Sequence, residues 1–189
     1  MPPTGPDGGI RLDDPHLPVD PESTARAVGA AIRRAHDGPA GRGTIGLSRV
    51  AARLQDAAGA DNAVLMDSGP YLGRPVAELA RLAVETVSVL PPVVRPTVAV
   101  RPGFTLGDCV LHADGSIVVG GVRAAGDREL ELAAAAIALG SRHGPAVVAP
   151  LLDAYGMDLL DLRRLDTSQL LVSIAAEIGV DLDSVIDDV

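Results

Sequence analysis

Two apolar runs, Cys109-Val110-Leu111-His112 and Ser116 to Val122, flank the tripeptide Ala113-Asp114-Gly115. An Asp-Gly step in that setting is a strong hairpin signal, because a two-residue type I′ turn needs positive φ at both central positions. The middle of the chain is therefore expected to be antiparallel β-structure. Val93 to Arg101, alternating and β-branched around Pro96, extends that region upstream. On both sides of it the apolar spacing changes from two residues to between three and four, the period of a helix.

Upstream, Asp20-Pro21-Glu22 reads as an N-cap followed by proline at the first helical position. Ala25, Val28, Ile32 and Ala35 then predict a helix over 21–36. Leu47, Val50, Ala51 and Leu54 predict another over 47–58, stopped by Gly59. Asn62 to Met66 suggests a short strand, and Pro75 opens a third helix that Pro91-Pro92 must end. Downstream, helices are expected over 127–142, 145–155, 157–165 and 167–178, with Asp166 and Thr167 as caps and Gly179 as a stop. The expected fold class is α+β: helices packed around a small, mostly antiparallel sheet, with a helical C-terminal region. Residues 1–20, rich in proline and glycine and without periodicity, read as a flexible arm. Residues 21–189 read as one domain, helical over 21–92, hairpin over 93–126 and helical over 127–189.

Hydrophobic residues make up 47% of the chain but aromatic ones only 2%, so the core must be aliphatic. Few rings also means few platforms for stacking nucleic-acid bases. Net charge is −9, and since the sequence contains no Lys every one of its 16 bases is Arg. An acidic chain repels phosphate backbones, which disfavours nucleic acid as a partner. The charge is uneven: residues 21–60 carry 6 Arg against 3 acids, while 151–189 carry 2 Arg against 9 acids. Arg26, Arg33, Arg49 and Arg53 are thus candidate partner contacts on the two N-terminal helices. A chain with the single cysteine Cys109 forms no internal disulfide. The N-terminus lacks an apolar signal region and no run of 18 apolar residues occurs, so cytoplasm is the expected location, without a membrane.

No catalytic centre, cofactor site or metal site is legible. Gly121-Val122-Arg123-Ala124-Ala125-Gly126 has the glycine spacing of a phosphate-binding loop, but Asp127 stands where that motif needs Lys and would repel phosphate. It reads as a turn into a helix capped by Asp127. His16, His36, His112 and His143 do not cluster in sequence. Cys109 and His112, three apart on a strand, fall on opposite faces. Gly140-Ser141-Arg142-His143-Gly144 sets its serine one place early for a nucleophile elbow, and the acids from Asp181 to Asp188 lack the spacing of a calcium loop. The helix Leu47–Ala58, with Arg49 and Arg53, follows too long a loop for a helix-turn-helix.

The segment from Val28 to Met66, within the string AVGAAIRRAHDGPAGRGTIGLSRVAARLQDAAGADNAVLM that starts one residue earlier at Ala27, combines a helix, a loop, a helix of pattern i-x-x-S-x-(V/I)-x-x-x-L and a glycine-ended turn before a short strand. It resembles the C-terminal small α+β module of baseplate-J-like phage tail proteins, although Gly59-Ala60-Asp61 departs from the Gly-Val usual at that turn. The resemblance implies a structural subunit of a contractile assembly, with no site residues to carry over. Together these features predict a non-catalytic structural or assembly protein acting through contacts with other subunits or with copies of itself. An accessory or ligand-binding subunit of an enzyme is the alternative, and a DNA-binding regulator a third.

Overall fold

Asp20 opens the first helix as the sequence predicts. Its carboxylate accepts the Ser23 N–H at 2.8 Å, and Pro21, with no N–H to leave unpaired, takes the first helical position. Helix α1 (Pro21–His36) carries Glu22 in its first turn and Arg33, Arg34 and His36 in its last, matching the helix dipole at both ends. The computed structural model describes residues 9–39, 41, 43–59, 64–92, 97–121 and 123–186. Helices α2 (Leu47–Ala58) and α3 (Val76–Ser88) bury the expected stripes, Leu47, Val50, Ala51 and Leu54 on one and Val76, Leu79, Ala80 and Ala83 on the other.

The strands form two three-stranded sheets. In the first, β1 (Ile10–Arg11), β4 (Cys109–Leu111) and β5 (Ile117–Val119) run antiparallel in the order β1-β4-β5, with Leu111 opposite Ile117. In the second, β6 (Ala124–Gly126) lies between β2 (Thr44–Ile45), to which it is parallel, and β3 (Val98–Val100), to which it is antiparallel. The class is α+β, with small, mostly antiparallel sheets and a helical C-terminal region. The hairpin region is split: β4 and β5 belong to one sheet, β3 and β6 to the other.

The hairpin turn departs from the expected type. No residue other than glycine has positive φ among the described residues, so Asp114 cannot occupy a type I′ position. Instead His112 accepts the Gly115 N–H at 3.0 Å and donates its own N–H to Ser116 at 2.9 Å, a three-residue connection in which Gly115 alone, at φ +81°, turns left-handed. The Asp114 carboxylate accepts from the Ser116 N–H and hydroxyl, which holds its pKa below the ordinary value. A side chain at 115 would meet open space but a strained backbone. Gly115→Val is expected to cost about 1–3 kcal/mol, read as a lowered chemical-denaturation midpoint.

Beyond the hairpin come α4 (Arg128–His143), α5 (Val148–Tyr155) and α6 (Leu162–Ile178). The expected break at Asp166-Thr167 does not occur. Asp161 caps α6, accepting the Arg163 N–H at 3.0 Å, and the Thr167 hydroxyl folds back onto the Arg163 carbonyl at 2.8 Å within a continuous helix. Helix α4 is the axis of the domain: Glu129 to Ala136 are all buried, and it packs against α1, α5 and α6. One apolar cluster joins α1, α4, α5 and the first sheet, and a second joins α2, α3, α6 and the second sheet. Alanines on facing helices let backbones approach closely, which is how a core so poor in aromatic rings is filled.

Part of the expected arm is docked. Ile10 and Arg11 pair with β4, and Leu12 is buried, while the Arg142 guanidinium binds the Leu12 and Asp14 carbonyls. Residues 1–8 lie outside the described residues, as do parts of the strands expected over 62–66 and 93–101. Of the former, Leu65 makes an isolated bridge to Pro75. No described helix is long and apolar enough to cross a membrane.

Candidate functional site

Helix α4 buries two glutamates near its N-terminus, and a buried carboxylate must find partners. Glu131, with no exposed surface, has four hydrogen bonds. Arg123 grips it bidentately, Nη1 to Oε2 at 2.8 Å and Nη2 to Oε1 at 2.9 Å. His36 Nε2 donates to Oε2 at 2.9 Å, and so does the backbone N–H of Arg101, also at 2.9 Å. With Nε2 carrying the proton, His36 Nδ1 accepts from the Tyr155 hydroxyl at 2.9 Å. Burial raises the Tyr155 phenol above its ordinary pKa, so it remains a donor across the neutral range. Arg123 Nη1 also reaches the Ala99 carbonyl at 2.8 Å. One carboxylate thereby ties α1, α5, β3 and the approach to β6 to the loop that leaves β3.

That loop, from Arg101 to Asp108, presents a second cluster at the molecular edge. Arg101 pairs with Asp108 at 2.9 Å and with Asp183, from the short C-terminal helical turn, at 3.6 Å. Asp108 also accepts from the Thr105 N–H at 2.7 Å and hydroxyl at 3.0 Å, and Asp183 accepts from the Gly103 N–H at 2.9 Å. Cys109 follows directly. Its thiol is fully buried and pushed up to about 12, chiefly by burial and then by the charges of Asp108 and Glu131. The thiolate is the reactive form, so the native protein is expected to resist iodoacetamide at pH 8 and to react on unfolding. Since the unfolded thiol ionises near 9 and the folded one near 12, the stability Cys109 contributes is complete below pH 9 and falls as pH rises from there to 12.

A cavity of about 610 Å³ opens elsewhere, between the 66–71 loop and the outer faces of α4 and α6. Ala136, Ile137, Val148 and Ala176 give it apolar walls, while Ser141, Gln169 and Ser173 add polar groups. Asp67 and Glu177 flank it, the Asp67 N–H donating to Glu177 at 3.0 Å, and neither carboxylate has an ion-pair partner among the described residues. Burial raises the pKa of Tyr71 on the same loop. The two sites lie on one helix, Glu131 toward its start and Gly140 nine residues on, roughly 14 Å along the axis.

The arginines singled out from sequence are not brought together. Arg26 pairs with Glu22 on an exposed face of α1. Arg33 turns inward, bonding the Tyr155 carbonyl at 3.1 Å with its guanidinium over that ring. Arg49 and Arg53 lie on the exposed face of α2, which packs against α3 rather than α1. Cys109 and His112 stay apart as strand geometry dictates, Cys109 buried and His112 half exposed. Asp127 starts α4 without a side-chain cap bond. It pairs instead with Arg164 of α6 at 3.2 Å, and burial, outweighing that arginine, raises its pKa. The residues that sequence reading missed are Glu131, His36, Arg123 and Tyr155. Their one local signal is a pair of glutamates on an alanine- and leucine-rich helix face; His36 and Tyr155 are 119 residues apart.

This arrangement of helices about two small sheets has counterparts among solved structures. Two solved structures share it: an aminoglycoside-3′-phosphotransferase of type VIII, with TM-score 0.60 and 17% identity over 81% of this chain and 60% of that one, and a spectinomycin phosphotransferase in complex with ADP and spectinomycin, with TM-score 0.58 and 12% identity over 94% of this chain and 59% of that one. The chain spans about 60% of the length of these structures. No protein-family model matches it, and no curated protein is similar in sequence.

The likeness overturns the expectation of a non-catalytic structural or assembly protein, since the fold found is one of phosphotransferase enzymes. That expectation rested on the lack of converging titratable groups in the sequence; the group that folding does gather from distant positions, around Glu131, is a buried hydrogen-bonded network that ties elements together.

Phosphoryl transfer as a class uses divalent cations held by carboxylate or amide oxygens, and a carboxylate that accepts the acceptor's hydroxyl proton. The Arg101 loop does not fit a cation. Both carboxylates there already accept from N–H or hydroxyl donors, and a guanidinium fills the space between them. Among the described residues no set of three His, Cys, Asp or Glu is placed to bind a metal ion.

Proposed function

We propose that this chain binds a small, cationic, hydroxyl-bearing molecule in the cavity between the 66–71 loop and helices α4 and α6, as the acceptor-binding part of a phosphotransferase-type enzyme. The observation that carries the reading is the pair of carboxylates, Asp67 and Glu177, held beside that cavity with no ion-pair partner among the described residues. The cavity volume falls in the range usual for small-molecule sites, and apolar walls with a few placed polar groups are what such sites use to orient a ligand. Hydroxyls at Ser141 and Ser173 and the amide of Gln169 can exchange hydrogen bonds with ligand hydroxyls. The C-terminal excess of acids draws a cation toward this side of the molecule. The neighbour crystallised with spectinomycin supports the ligand class.

Calorimetric titration with spectinomycin, an aminoglycoside and the neutral inositol tests this. The cationic compounds are expected to bind and inositol to bind at least tenfold more weakly. The double variant Asp67→Asn/Glu177→Gln is expected to lose about tenfold in affinity for the cations, equivalent to ~1.4 kcal/mol, and 0.5 M salt should narrow the gap between wild type and variant. Equal affinities for charged and neutral ligands, or an unaffected double variant, would overturn the reading. Labelled phosphate transferred from ATP to the bound compound would extend it to catalysis.

A further inference from the structure

We propose that the Arg101 guanidinium is a built-in cation, seated where a divalent metal would sit between Asp108 and Asp183, and that it closes this edge of the phosphotransferase fold to metal ions. The seat is constructed from several sides. Arg101 Nη1 reaches Asp108 Oδ1 at 2.9 Å and Nη2 lies 3.6 Å from Asp183 Oδ2. The remaining oxygen of Asp108 is taken by Thr105, and that of Asp183 by the Gly103 N–H. The backbone of Arg101 is fixed from behind by Glu131. Gly121 leaves room for the head group: a Cβ there would lie 1.7 Å from Nη1. The side chain of Arg101 is only 19% exposed and that of Asp108 13%, so the pair is largely shielded from competing water and salt. A hard divalent cation needs six or more oxygen ligands, and every carboxylate oxygen here is already committed. Arginine stays protonated throughout the accessible pH range, so the occupant cannot be titrated away.

Uptake of Mn²⁺, followed by loss of the free-ion electron paramagnetic resonance signal, tests the proposal on the full chain without any assay of turnover. In 150 mM NaCl, wild type and Asp108→Asn are expected to show the same weak, unsaturated uptake from general surface charge. Arg101→Met vacates the seat and keeps the bulk; it is expected to take up one Mn²⁺ at least tenfold more tightly than wild type, and Asp108→Asn added to it should abolish the gain. A folded Arg101→Met chain without that gain would overturn the proposal. So would stoichiometric Mn²⁺ binding by wild type that Asp108→Asn removes, a comparison that decides the matter even if Arg101→Met does not fold. None of these readings depends on the acceptor cavity, so failure here and failure of ligand binding there are separate results.

Discussion

Glu131→Ala is expected to destabilise the protein by about 3–5 kcal/mol, the scale for removing one partner of a buried ion pair. The size comes from what is left behind. Arg123, its side chain 12% exposed, would keep a buried positive charge without its carboxylate, His36 would lose the acceptor for Nε2, and the Arg101 N–H would lose its own. Buried donors left without acceptors cost about 1–3 kcal/mol each where the structure cannot relax. For a chain of this length each kcal/mol corresponds to roughly 2–4 °C in Tm, so a fall of about 10 °C by calorimetry is the expected reading. Glu131→Gln keeps the shape but not the charge and is expected to fall between wild type and alanine. A shift below 2 °C for Glu131→Ala would mean that the network carries little of the fold's stability.

The second large effect is expected at Gly29, where α1 crosses α5. A Cβ on this residue would lie 2.2 Å from the carbonyl oxygen of Leu151 and 3.3 Å from the backbone nitrogen of Tyr155. The obstacle is helix backbone, which cannot swing aside like a side chain, so the two helices would have to separate. That separation would open the cluster around Val28, Ile32 and Leu151, each with no exposed surface. Overpacking of this kind costs typically 1–3 kcal/mol, and Gly29→Val is expected at about 3 kcal/mol with a matching drop in denaturation midpoint. The Tyr155–His36 bond spans the same crossing, so the double variant Gly29→Val/Tyr155→Phe should destabilise by less than the sum of its parts. Additive losses would show that the helices do not move apart.

Local chemistry made part of this fold readable. The Asp20-Pro21 start of α1, the stripes of α2 and α3 and the hairpin around Gly115 each follow from neighbours within a few residues. What failed was also local in kind. Asp166 and Thr167 look like a helix start, but a threonine hydroxyl satisfied by the carbonyl four residues back sits comfortably within a helix. Asp114-Gly115 fits a two-residue turn as well as the three-residue one, and backbone φ at Asp114 decides between them. The functional groups were the least legible. Glu131 meets His36 across 95 residues and Arg101 meets Asp183 across 82, and no periodicity encodes such pairings. The 66–71 loop, with an exposed carboxylate beside a run of small residues, carries no motif; only its position over α4 and α6 turns it into the wall of a cavity.

The two-residue strand β1 shields one side of β4. A protease that cuts after Arg11 would strip it away, since Arg11 and Asp13 are both about half exposed. The freed edge of β4 would offer unpaired backbone groups at Val110 and Leu111, next to an aliphatic surface. Such an edge is a template for pairing with another chain. Nicked preparations should therefore form soluble multimers and then precipitate, with the short segment Ile10–Leu12 serving as a guard against self-association.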